Sequence, residues 1–367
     1  MNVVSLFSVA VALWASVISV ALSKIATGDE VVERGPASLF FACNGLAAML
    51  ARVDQSVIDS LNFTKGESNG VTPETFKALG ERVNVEFRSH GSSSANSARA
   101  YCYLGGKASF FTVLGDDEHA DLFDSYIGSH GVDMMTIRRP GTFTSQIYTL
   151  ITPDAERSMY LLWGASHTIK PGDLSASVMD NYDYYVVNGF MFATPGHVEF
   201  SHKMIEAALS RGKQLILLLA NRVCIRKWSD LLKPIAAKSA YISGNLEEYS
   251  MLYGLEEPEK LFTMFEELTD GEKPQHKAVI ITMGGDGAMV MFQGQRYFVP
   301  PTGVNVIDTT GAGDIFAGSI LYGLLNGLSV KKSGELARAM VGDILPRVGT
   351  KFSDGLAAKI VDIKASA

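Results

Sequence analysis

Apolar residues along the chain fall into two alternating patterns. Short continuous apolar runs of strand length, such as residues 38–43, 184–187 and 215–219, are separated by stretches whose apolar residues recur at helical spacing, such as residues 197–211. Strands spaced by helices are typical of βαβ units, and these build a mostly parallel sheet with helices on both faces. The pattern therefore predicts a Rossmann-like α/β fold. Further strands are predicted at residues 108–113, 240–243, 278–282 and 288–292, and further helices at 116–130, 245–253 and 257–268.

Two segments interrupt this alternation. Residues 46–72 mix short apolar pieces with charged residues, and residues 145–151 and 157–162 are strand-like runs joined by a turn at Pro153-Asp154. A hairpin and a mixed segment of this kind suit a small sheet at the edge of the main domain. We predict a small β-sheet lid, contributed by about residues 46–72 and 142–165.

The first residues of the chain differ from the rest. Residues 3–23 are an almost uninterrupted apolar run, and the first charged residue is Lys24. This length fits a signal peptide or a signal anchor with small residues at 21–23 for cleavage, although no Lys or Arg precedes the run. We predict a targeting segment at residues 1–30, leading to the secretory route or an organelle, and a folded domain at residues 31–367. Without targeting the protein would be cytoplasmic, and membrane association is expected only through residues 1–24 if they stay uncleaved.

Composition narrows the classes of function. With 367 residues and 47% hydrophobic content, the chain is long enough for a large α/β core. Its formal net charge of -7 and its lack of long Lys and Arg runs argue against a nucleic-acid binder. Cys43, Cys102 and Cys224 are too far apart to match a metal-ligand spacing or a disulfide framework.

Residues 304–316 combine an apolar β-branched run, a turn of small residues and an apolar-periodic run. They predict a strand at 304–307, a tight turn at Gly311-Ala312-Gly313 and a helix that starts near Gly313. Free backbone N–H groups and the positive end of the helix dipole meet at such a turn, so it can bind an anion. Asp314 suits helix capping, because Asp favours the first turn, and it equally suits a general base beside the anion.

Three further turns carry candidate chemistry. Residues 91–98 are a Gly/Ser-rich loop before a helix, which suits either a flexible turn or the binding of an anion or hydroxyl group. Asn245 and Glu248 open a helix, either as a capping box or as residues that orient a magnesium-bound water. Residues 282–287 carry three glycines and suit either a hairpin turn or a backbone platform beneath a nucleotide. The chain has no P-loop motif, and no Gly-x-Gly-x-x-Gly follows the first strand.

Taken together, these motifs resemble those of the ribokinase or PfkB family of carbohydrate and nucleoside kinases. Residues 308–316 match the family's C-terminal signature almost residue for residue, residues 245–248 its Asn-x-x-Glu motif and residues 282–287 its nucleotide-side glycine loop. The similarity runs from about residue 38 to 349, and Lys65-Gly66 is most similar to the adenosine-kinase-like branch. The resemblance implies a ribokinase-like fold for residues 31–367 and ATP-dependent phosphoryl transfer to a hydroxyl group of a sugar or nucleoside.

The resemblance also implies roles for individual residues. Asp314 would be the general base, and the turn Gly311, Ala312, Gly313 and Asp314 would be the anion hole. The small-molecule acceptor would be bound by Asn44, Gly91, Ser92 and Asn96. The ATP side would comprise Asn245, Glu248, Thr282, Gly284, Gly287 and Thr309. Mg2+ would be held by Glu248 and Asn245 through water, a monovalent cation is a further candidate ligand, and the protein would be a monomer or a homodimer.

The departures from the family pattern lie on the acceptor side. Ala48 stands where the family usually has an Asp that binds acceptor hydroxyl groups, and Ser92 replaces the second residue of a Gly-Gly pair. A missing carboxylate removes one or two charge-assisted hydrogen bonds, each worth about 1.5–3 kcal/mol. The alternative is therefore a catalytically impaired family member that retains nucleotide binding without ordinary ribose recognition.

Overall fold

The structure, a computed structural model, describes residues 35–61, 63–154 and 156–365. The predicted targeting segment at residues 1–30 lies outside the described residues and stays a prediction. Within the described ranges, no helix is both long enough and apolar enough to cross a membrane.

The described residues form two sheets. Their strands are β1 (Ser38–Ala42), β2 (Leu46–Arg52), β3 (Ser68–Gly70), β4 (Phe87–Gly91), β5 (Lys107–Gly115), β6 (Asp133–Arg139), β7 (Gln146–Ile151), β8 (Arg157–Leu162), β9 (Tyr184–Asn188), β10 (Gln214–Leu218), β11 (Ser239–Asn245), β12 (Ala278–Thr282), β13 (Ala288–Phe292) and β14 (Gln295–Val299). The large sheet has nine strands in the order β14-β13-β12-β11-β10-β9-β1-β5-β6. Its strands pair in parallel from β12 to β6, and only β12, β13 and β14 pair antiparallel. This is the predicted mostly parallel sheet, and its strands are apolar on both faces because helices cover both.

Helices separate most strands of the large sheet, as the alternating pattern predicts, and several of them, including Arg222–Lys238, are additions to the predicted ones. The helices are α1 (Gln55–Asp59), α2 (Pro73–Gly80), α3 (Ser93–Tyr103), α4 (Glu118–Gly128), α5 (Pro195–Ser210), α6 (Arg222–Lys238), α7 (Leu246–Tyr253), α8 (Pro258–Thr269), α9 (Ala312–Leu325), α10 (Val330–Ile344) and α11 (Leu356–Ala365). Short 3-10 turns lie at Ala165–Thr168, Pro171–Asp173, Ala176–Asp180, Gly189–Phe192 and Gly284–Asp286. Polar side chains cap the starts of α3, α4, α5 and α6 by accepting a hydrogen bond from the backbone amide three residues on, and these caps are Ser92, Asp117, Thr194 and Asn221.

The smaller sheet is the lid, with strands in the order β3-β8-β7-β2-β4. Four of its strands come from the two predicted segments, and the fifth, β4, comes from residues 87–91. Side chains alternate between the two faces of each strand. One face packs on α1 and α2 in a small separate core that includes Met49, Ala51, Tyr148, Leu150 and Tyr160. The opposite face, which includes Ala48, Ile147, Thr149, Met159 and Leu161, lines a cavity above the large sheet.

One predicted strand is wrong. Residues 304–307 are not a strand, and Val306 and Ile307 are 52% and 54% exposed. The last strand of the sheet, β14, ends at Val299, and Pro300-Pro301 follows it at once. Because proline cannot donate a backbone hydrogen bond to a neighbouring strand, the chain leaves the sheet there. The β-branched run instead reaches the start of α9 as an irregular segment.

Candidate active site

The predicted turn before α9 separates two cavities. The lid cavity, of about 340 Å3, lies between the lid and the carboxyl ends of the central strands. The glycine cavity, of about 1100 Å3, lies on the other side of the turn and is lined by the loop that joins β12 and β13. Consecutive residues of the turn contribute to different cavities: Asp308, Thr310, Gly311 and Asp314 line the lid cavity, and Thr309, Ala312 and Gly313 line the glycine cavity.

The structure divides the other predicted site residues in the same way. The predicted acceptor residues Asn44, Gly91, Ser92 and Asn96 all line the lid cavity. Asn245, Thr282, Gly284 and Gly287, all predicted on the ATP side, line the glycine cavity. Glu248 lines neither cavity.

The start of α9 depends on glycine at position 311. Gly311 caps the helix in the left-handed region, with φ of 70°, and a Cβ at this position would lie 2.7 Å from Thr350 Cγ2 and 2.9 Å from Asn96 Nδ2. A side chain would therefore be both strained and crowded. The amide of Ala312 donates to the Thr309 carbonyl at 3.2 Å, whereas the next amides of α9, those of Gly313 and Asp314, have no partner within the helix and are available to an anion at the boundary between the cavities.

Two side chains of α3 hydrogen-bond to the carboxylate of Asp314. Its Oδ1 accepts a hydrogen bond from Ser93 Oγ at 2.7 Å, and its Oδ2 accepts one from Asn96 Nδ2 at 3.3 Å. Ser93 Oγ in turn accepts a hydrogen bond from Asn188 Nδ2 at the end of β9. Burial raises the pKa of Asp314 to about 6, although the hydrogen bonds from Ser93 and Asn96 lower it in part. A carboxylate with a pKa near neutrality can accept a proton during a reaction and release it afterwards.

Asn245 and Glu248 form the capping box that the sequence suggested. Asn245 Oδ1 accepts from the Glu248 amide at 2.8 Å, and Glu248 Oε2 accepts from the Asn245 amide at 2.9 Å. Glu248 Oε1 also accepts from Asn245 Nδ2 at 2.7 Å. Burial raises the pKa of Glu248 to about 7, and the nearby Asp314 adds to this shift. Both oxygens of Glu248 are thus engaged, and only Asn245 of the pair lines a cavity.

The glycine loop is both a hairpin turn and a cavity wall. It joins the antiparallel strands β12 and β13, and Gly284 and Gly287 have φ of 58° and 92°. A Cβ at Gly287 would lie 2.4 Å from the Val299 carbonyl oxygen. The loop therefore needs glycine for its own conformation, and its bare backbone also leaves the cavity open to a ligand.

Arg157 is a site residue that sequence reasoning missed. It lies on lid strand β8, and its Nη1 donates to Thr310 Oγ1 at 3.2 Å. Its Nη2 donates to Thr309 Oγ1 and lies 3.8 Å from Asp308 Oδ1. One guanidinium thus reaches both cavity walls at the start of α9. The predicted hairpin contained a signal, since Arg157 is two residues before Met159 and therefore on the same face of the strand.

Asp308 fixes the other end of the turn. Its Oδ1 accepts hydrogen bonds from the amide and the hydroxyl of Thr310, and its Oδ2 accepts one from the Gly349 amide at 2.9 Å. Burial raises the pKa of Asp308, but the hydrogen bonds from Gly349 and Thr310 outweigh it and hold the pKa below its ordinary value. Hydrogen bonds therefore stabilise the ionised form of Asp308, whereas burial makes Asp314 easier to protonate.

Two arginines of α6 also reach the lid. Arg226 Nη2 lies 2.6 Å from Glu67 Oε1. Arg222 Nη2 donates to the Gly66 carbonyl at 3.4 Å and lies 3.6 Å from Glu156 Oε1. These contacts, here called the lid ion pairs, join the lid to the large domain.

Comparison with known proteins identifies the chain as a sugar or nucleoside kinase. It belongs to the pfkB family of carbohydrate kinases, whose family model matches residues 67–351. An aminoimidazole riboside kinase of Salmonella typhimurium is 27% identical over 253 residues, covering 66% of this chain and 76% of that protein. A 5-dehydro-2-deoxygluconokinase of Shouchella clausii is 27% identical over 266 residues, covering 70% and 80%.

Solved structures show the same fold. The adenosine kinase of Sinorhizobium meliloti has a TM-score of 0.81 at 22% identity, covering 89% of this chain and 99% of that one. A ribokinase-type protein of E. coli, solved with ATP and Mg2+, has a TM-score of 0.70 at 16% identity, covering 89% and 99%. The predicted ribokinase-like α/β fold with a smaller second sheet is therefore confirmed.

Proposed function

We propose that the protein transfers the γ-phosphoryl group of ATP to a hydroxyl group of a nucleoside or nucleoside-like glycoside, with Asp314 as the general base. The observation that carries this proposal is the position of Asp314. Its carboxylate lines the lid cavity, while the amides of the same helical turn border the glycine cavity. A base and an anion hole on one turn are what in-line phosphoryl transfer requires.

The proposed reaction follows from this arrangement. Asp314 accepts the proton of the acceptor hydroxyl as its oxygen bonds to the γ-phosphorus, and the bond from that phosphorus to the β–γ bridging oxygen breaks to release ADP. Negative charge spreads over the equatorial oxygens, which the amides of Gly311, Gly313 and Asp314 in the predicted anion hole can stabilise, while the Ala312 amide donates to the Thr309 carbonyl. Arg157 is placed to add a positive charge at the same point.

The glycine cavity has the size and the lining for a nucleotide. Its volume of about 1100 Å3 and its bare glycine backbone leave room for a triphosphate beside the start of α9. Among the described residues, no group of three or more His, Cys, Asp or Glu side chains could hold a metal ion. This donor set fits Mg2+ bound mainly by phosphate and water, with Asn245 and, behind it, Glu248 orienting a water. When bound, Mg2+ would neutralise charge on the phosphates.

The lid cavity favours an acceptor with an apolar body. Apolar side chains from both the lid and the large domain line it, and they include Ala48, Ile147, Leu161, Trp163, Phe190 and Trp228. Polar groups line it as well: Ser93 and Asn96 hydrogen-bond to Asp314, and the buried Asn44 Oδ1 lacks a hydrogen-bond partner. Polar groups beside Asp314 together with extensive apolar walls match a ribose joined to a planar base better than a free polyol.

A second candidate function is nucleotide binding by an impaired family member, favoured by Ala48 and Ser92 at the acceptor end. One experiment separates the two. Purified protein is assayed with ATP and Mg2+ against nucleosides, free furanoses and sugar acids, beside Asp314→Asn and the exposed control Asp230→Asn. We expect turnover of a nucleoside, a loss of about 10²–10⁴-fold in Asp314→Asn, and no change in Asp230→Asn.

Each outcome has a clear meaning. Turnover of a nucleoside at an ordinary rate excludes the impaired member. Absence of any phosphorylated acceptor, together with tight ATP binding, supports the impaired member and overturns our proposal. Undiminished turnover in Asp314→Asn removes Asp314 as the base.

A further inference from the structure

Arg99, on α3, is a buried cation without a counter-charge. It is among the largest fully buried side chains of the protein, with 0% exposure. Within the described residues it forms no ion pair with a carboxylate, and its Nε has no hydrogen-bond partner. Burying an unpaired charge is unfavourable. Its other contacts therefore need an explanation.

Those contacts are neutral groups arranged around the guanidinium. Nη1 donates to Asn96 Oδ1 at 3.3 Å and to Thr350 Oγ1 at 3.1 Å. Nη2 donates to the Thr350 carbonyl at 3.1 Å and lies 3.2 Å from His130 Nε2. The rings of Tyr126 and Phe352 lie 4.5 Å and 5.1 Å from the guanidinium carbon. Rings and neutral oxygens can stabilise a cation without cancelling its charge.

Two of these partners support the turn that carries Asp314. Asn96 donates to Asp314 Oδ2. Thr350 packs against the position where a Cβ of Gly311 would lie, and its neighbour Gly349 donates to Asp308. The guanidinium therefore contacts both supports of the turn, although it does not touch Asp314.

The hydrogen bond from Arg99 fixes the orientation of the Asn96 side-chain amide. A side-chain amide has an acceptor oxygen and a donor nitrogen, and the two positions exchange when it rotates by half a turn. With Arg99 on the Oδ1 side, the NH2 group faces the Asp314 carboxylate. In the rotated orientation, Oδ1 would face the carboxylate and the NH2 group would face a cation, and both contacts would be repulsive.

We propose that Arg99 is a positioning residue that holds Asn96 with its NH2 group toward Asp314 and thereby keeps Asp314 ready to accept a proton. The inference rests on the proposed function of Asp314. Without Arg99, the hydrogen bond that favours the ionised carboxylate is lost or weakened, so the carboxyl group should hold its proton to higher pH.

Other ionisable groups face this assembly. Glu248 interacts electrostatically with Asp314, and Arg99 is faced by Tyr126 of α4 and by His130, which lies just after that helix. His130 Nδ1 lies 2.8 Å from the Tyr126 carbonyl, which makes Nδ1 the donor and leaves Nε2 to accept from Arg99. Burial and the charge of Arg99 lower the pKa of His130, so it stays neutral at pH 7.

The test uses two substitutions of Arg99. Arg99→Met keeps a long side chain but removes its hydrogen-bond donors, and Arg99→Lys keeps the positive charge. His130→Gln is the control, because it changes a contact of Arg99 that does not involve Asn96. Two properties are measured. The first is the titration of the Asp314 carboxyl carbon, followed by NMR of aspartate-labelled protein and assigned with Asp314→Asn. The second is the pH profile of kcat and KM.

In Arg99→Met we expect the midpoint of the Asp314 titration to rise by about half a pH unit or more and kcat to fall about ten- to a hundredfold. The KM for ATP should stay within about twofold, because the glycine cavity is untouched.

Arg99→Lys and His130→Gln show whether the hydrogen bond to Asn96 is responsible for the changes. Arg99→Lys should show smaller changes of the same sign, since one ammonium cannot bond Asn96 and Thr350 in the fixed geometry of a guanidinium. His130→Gln should resemble the wild type in both properties. An unmoved Asp314 midpoint with unchanged kcat in folded Arg99→Met overturns the inference. If that variant does not fold, the same result in Arg99→Lys overturns it. The NMR titration needs no acceptor, so failure of the proposed function would be seen separately as absence of turnover.

Discussion

The two cavities recognise their ligands by different means. The glycine cavity includes the bare glycine backbone of the loop between β12 and β13 and of the start of α9, and it is about three times as large as the lid cavity. The lid cavity is enclosed by side chains from both sheets. Backbone amides bind any phosphate in much the same way, whereas a wall of side chains selects by shape and polarity. We therefore expect the glycine cavity to bind phosphate without selecting the acceptor, and the lid cavity to determine which acceptor is used.

The largest expected effect comes from the residue at the junction of the cavities. Arg157→Met should lower kcat by about 10²–10³-fold, because it removes a positive charge from the point where the phosphoryl group would pass. Arg157→Lys should recover part of the loss, since lysine keeps the charge but cannot donate to Thr309 and Thr310 together. Steady-state kinetics measures both. Arg52→Met, at the exposed end of β2 in the same lid, is the matched control, and an equal loss in that variant would mean that lid stability is responsible.

A second substitution changes only the lid cavity. Ala48→Asp places a carboxylate among apolar side chains, where it can bind acceptor hydroxyl groups but disfavours an apolar body. The ratio of kcat/KM for a free furanose to that for a nucleoside should rise by about ten- to a hundredfold. The KM for ATP is the internal control and should not change. An unchanged ratio would show that position 48 does not select the acceptor.

The parts of the protein that could be predicted from sequence are those set by neighbouring residues. The βαβ alternation, the turn at residues 311–313 and the capping box of Asn245 are local patterns, and a local pattern is visible in consecutive residues. The predicted strand at 304–307 failed because its β-branched residues lack a neighbouring strand after Pro300-Pro301. Helix α6, whose pattern is interrupted by Pro234, was not predicted at all.

The acceptor wall shows the limit of sequence reasoning most clearly. The lid hairpin was predicted, but the face of β8 that carries Arg157 turns toward the site only because of how the lid sheet lies over the large sheet. Arg99 was invisible for a similar reason, since its partner Thr350 is far away in sequence. Contacts between distant segments are set by tertiary structure, and no local pattern encodes them.

A smaller effect is expected from the lid ion pairs. Glu67→Ala or Arg226→Ala should raise the KM for the acceptor by no more than about fivefold, because partly exposed ion pairs contribute about 0.2–1 kcal/mol. The exchanged pair Glu67→Arg with Arg226→Glu should restore the wild-type value, and added salt should reduce all differences. The remote surface pair of Glu257 and Lys260 provides the control. If the exchanged pair is no better than the single variants, closure does not depend on this contact.

The smallest effect concerns stability and has opposite signs at two carboxylates. The pKa of Asp314 is raised from 3.8 to about 6 in the folded protein, so its ionisation at neutral pH destabilises the fold. Asp314→Asn should therefore raise the melting temperature by about 2–5 °C at pH 7.5, and the gain should shrink as the pH falls and disappear below about pH 4.

Asp308→Asn should have the opposite effect on stability. The pKa of Asp308 is lowered, so its ionised form stabilises the fold above the ordinary carboxyl pKa, and this stabilisation is lost as the pH falls. The substitution should lower the melting temperature at pH 7.5. Thermal unfolding at several pH values tests both carboxylates, and shifts of equal sign would contradict the assignment.

Arg157 belongs to the lid, whereas Asp314 belongs to the large domain. If the lid opens to admit the acceptor, the guanidinium leaves with it, and the anion hole loses that charge until the lid returns. Water is the most abundant hydroxyl compound that could compete for the phosphoryl group. In an open site, water could reach the phosphoryl group, but the positive charge of Arg157 would be absent. In a closed site, that charge would be present, but the acceptor would leave no room for water. In the proposed reaction, an arginine carried by the lid would thus protect ATP from wasteful hydrolysis.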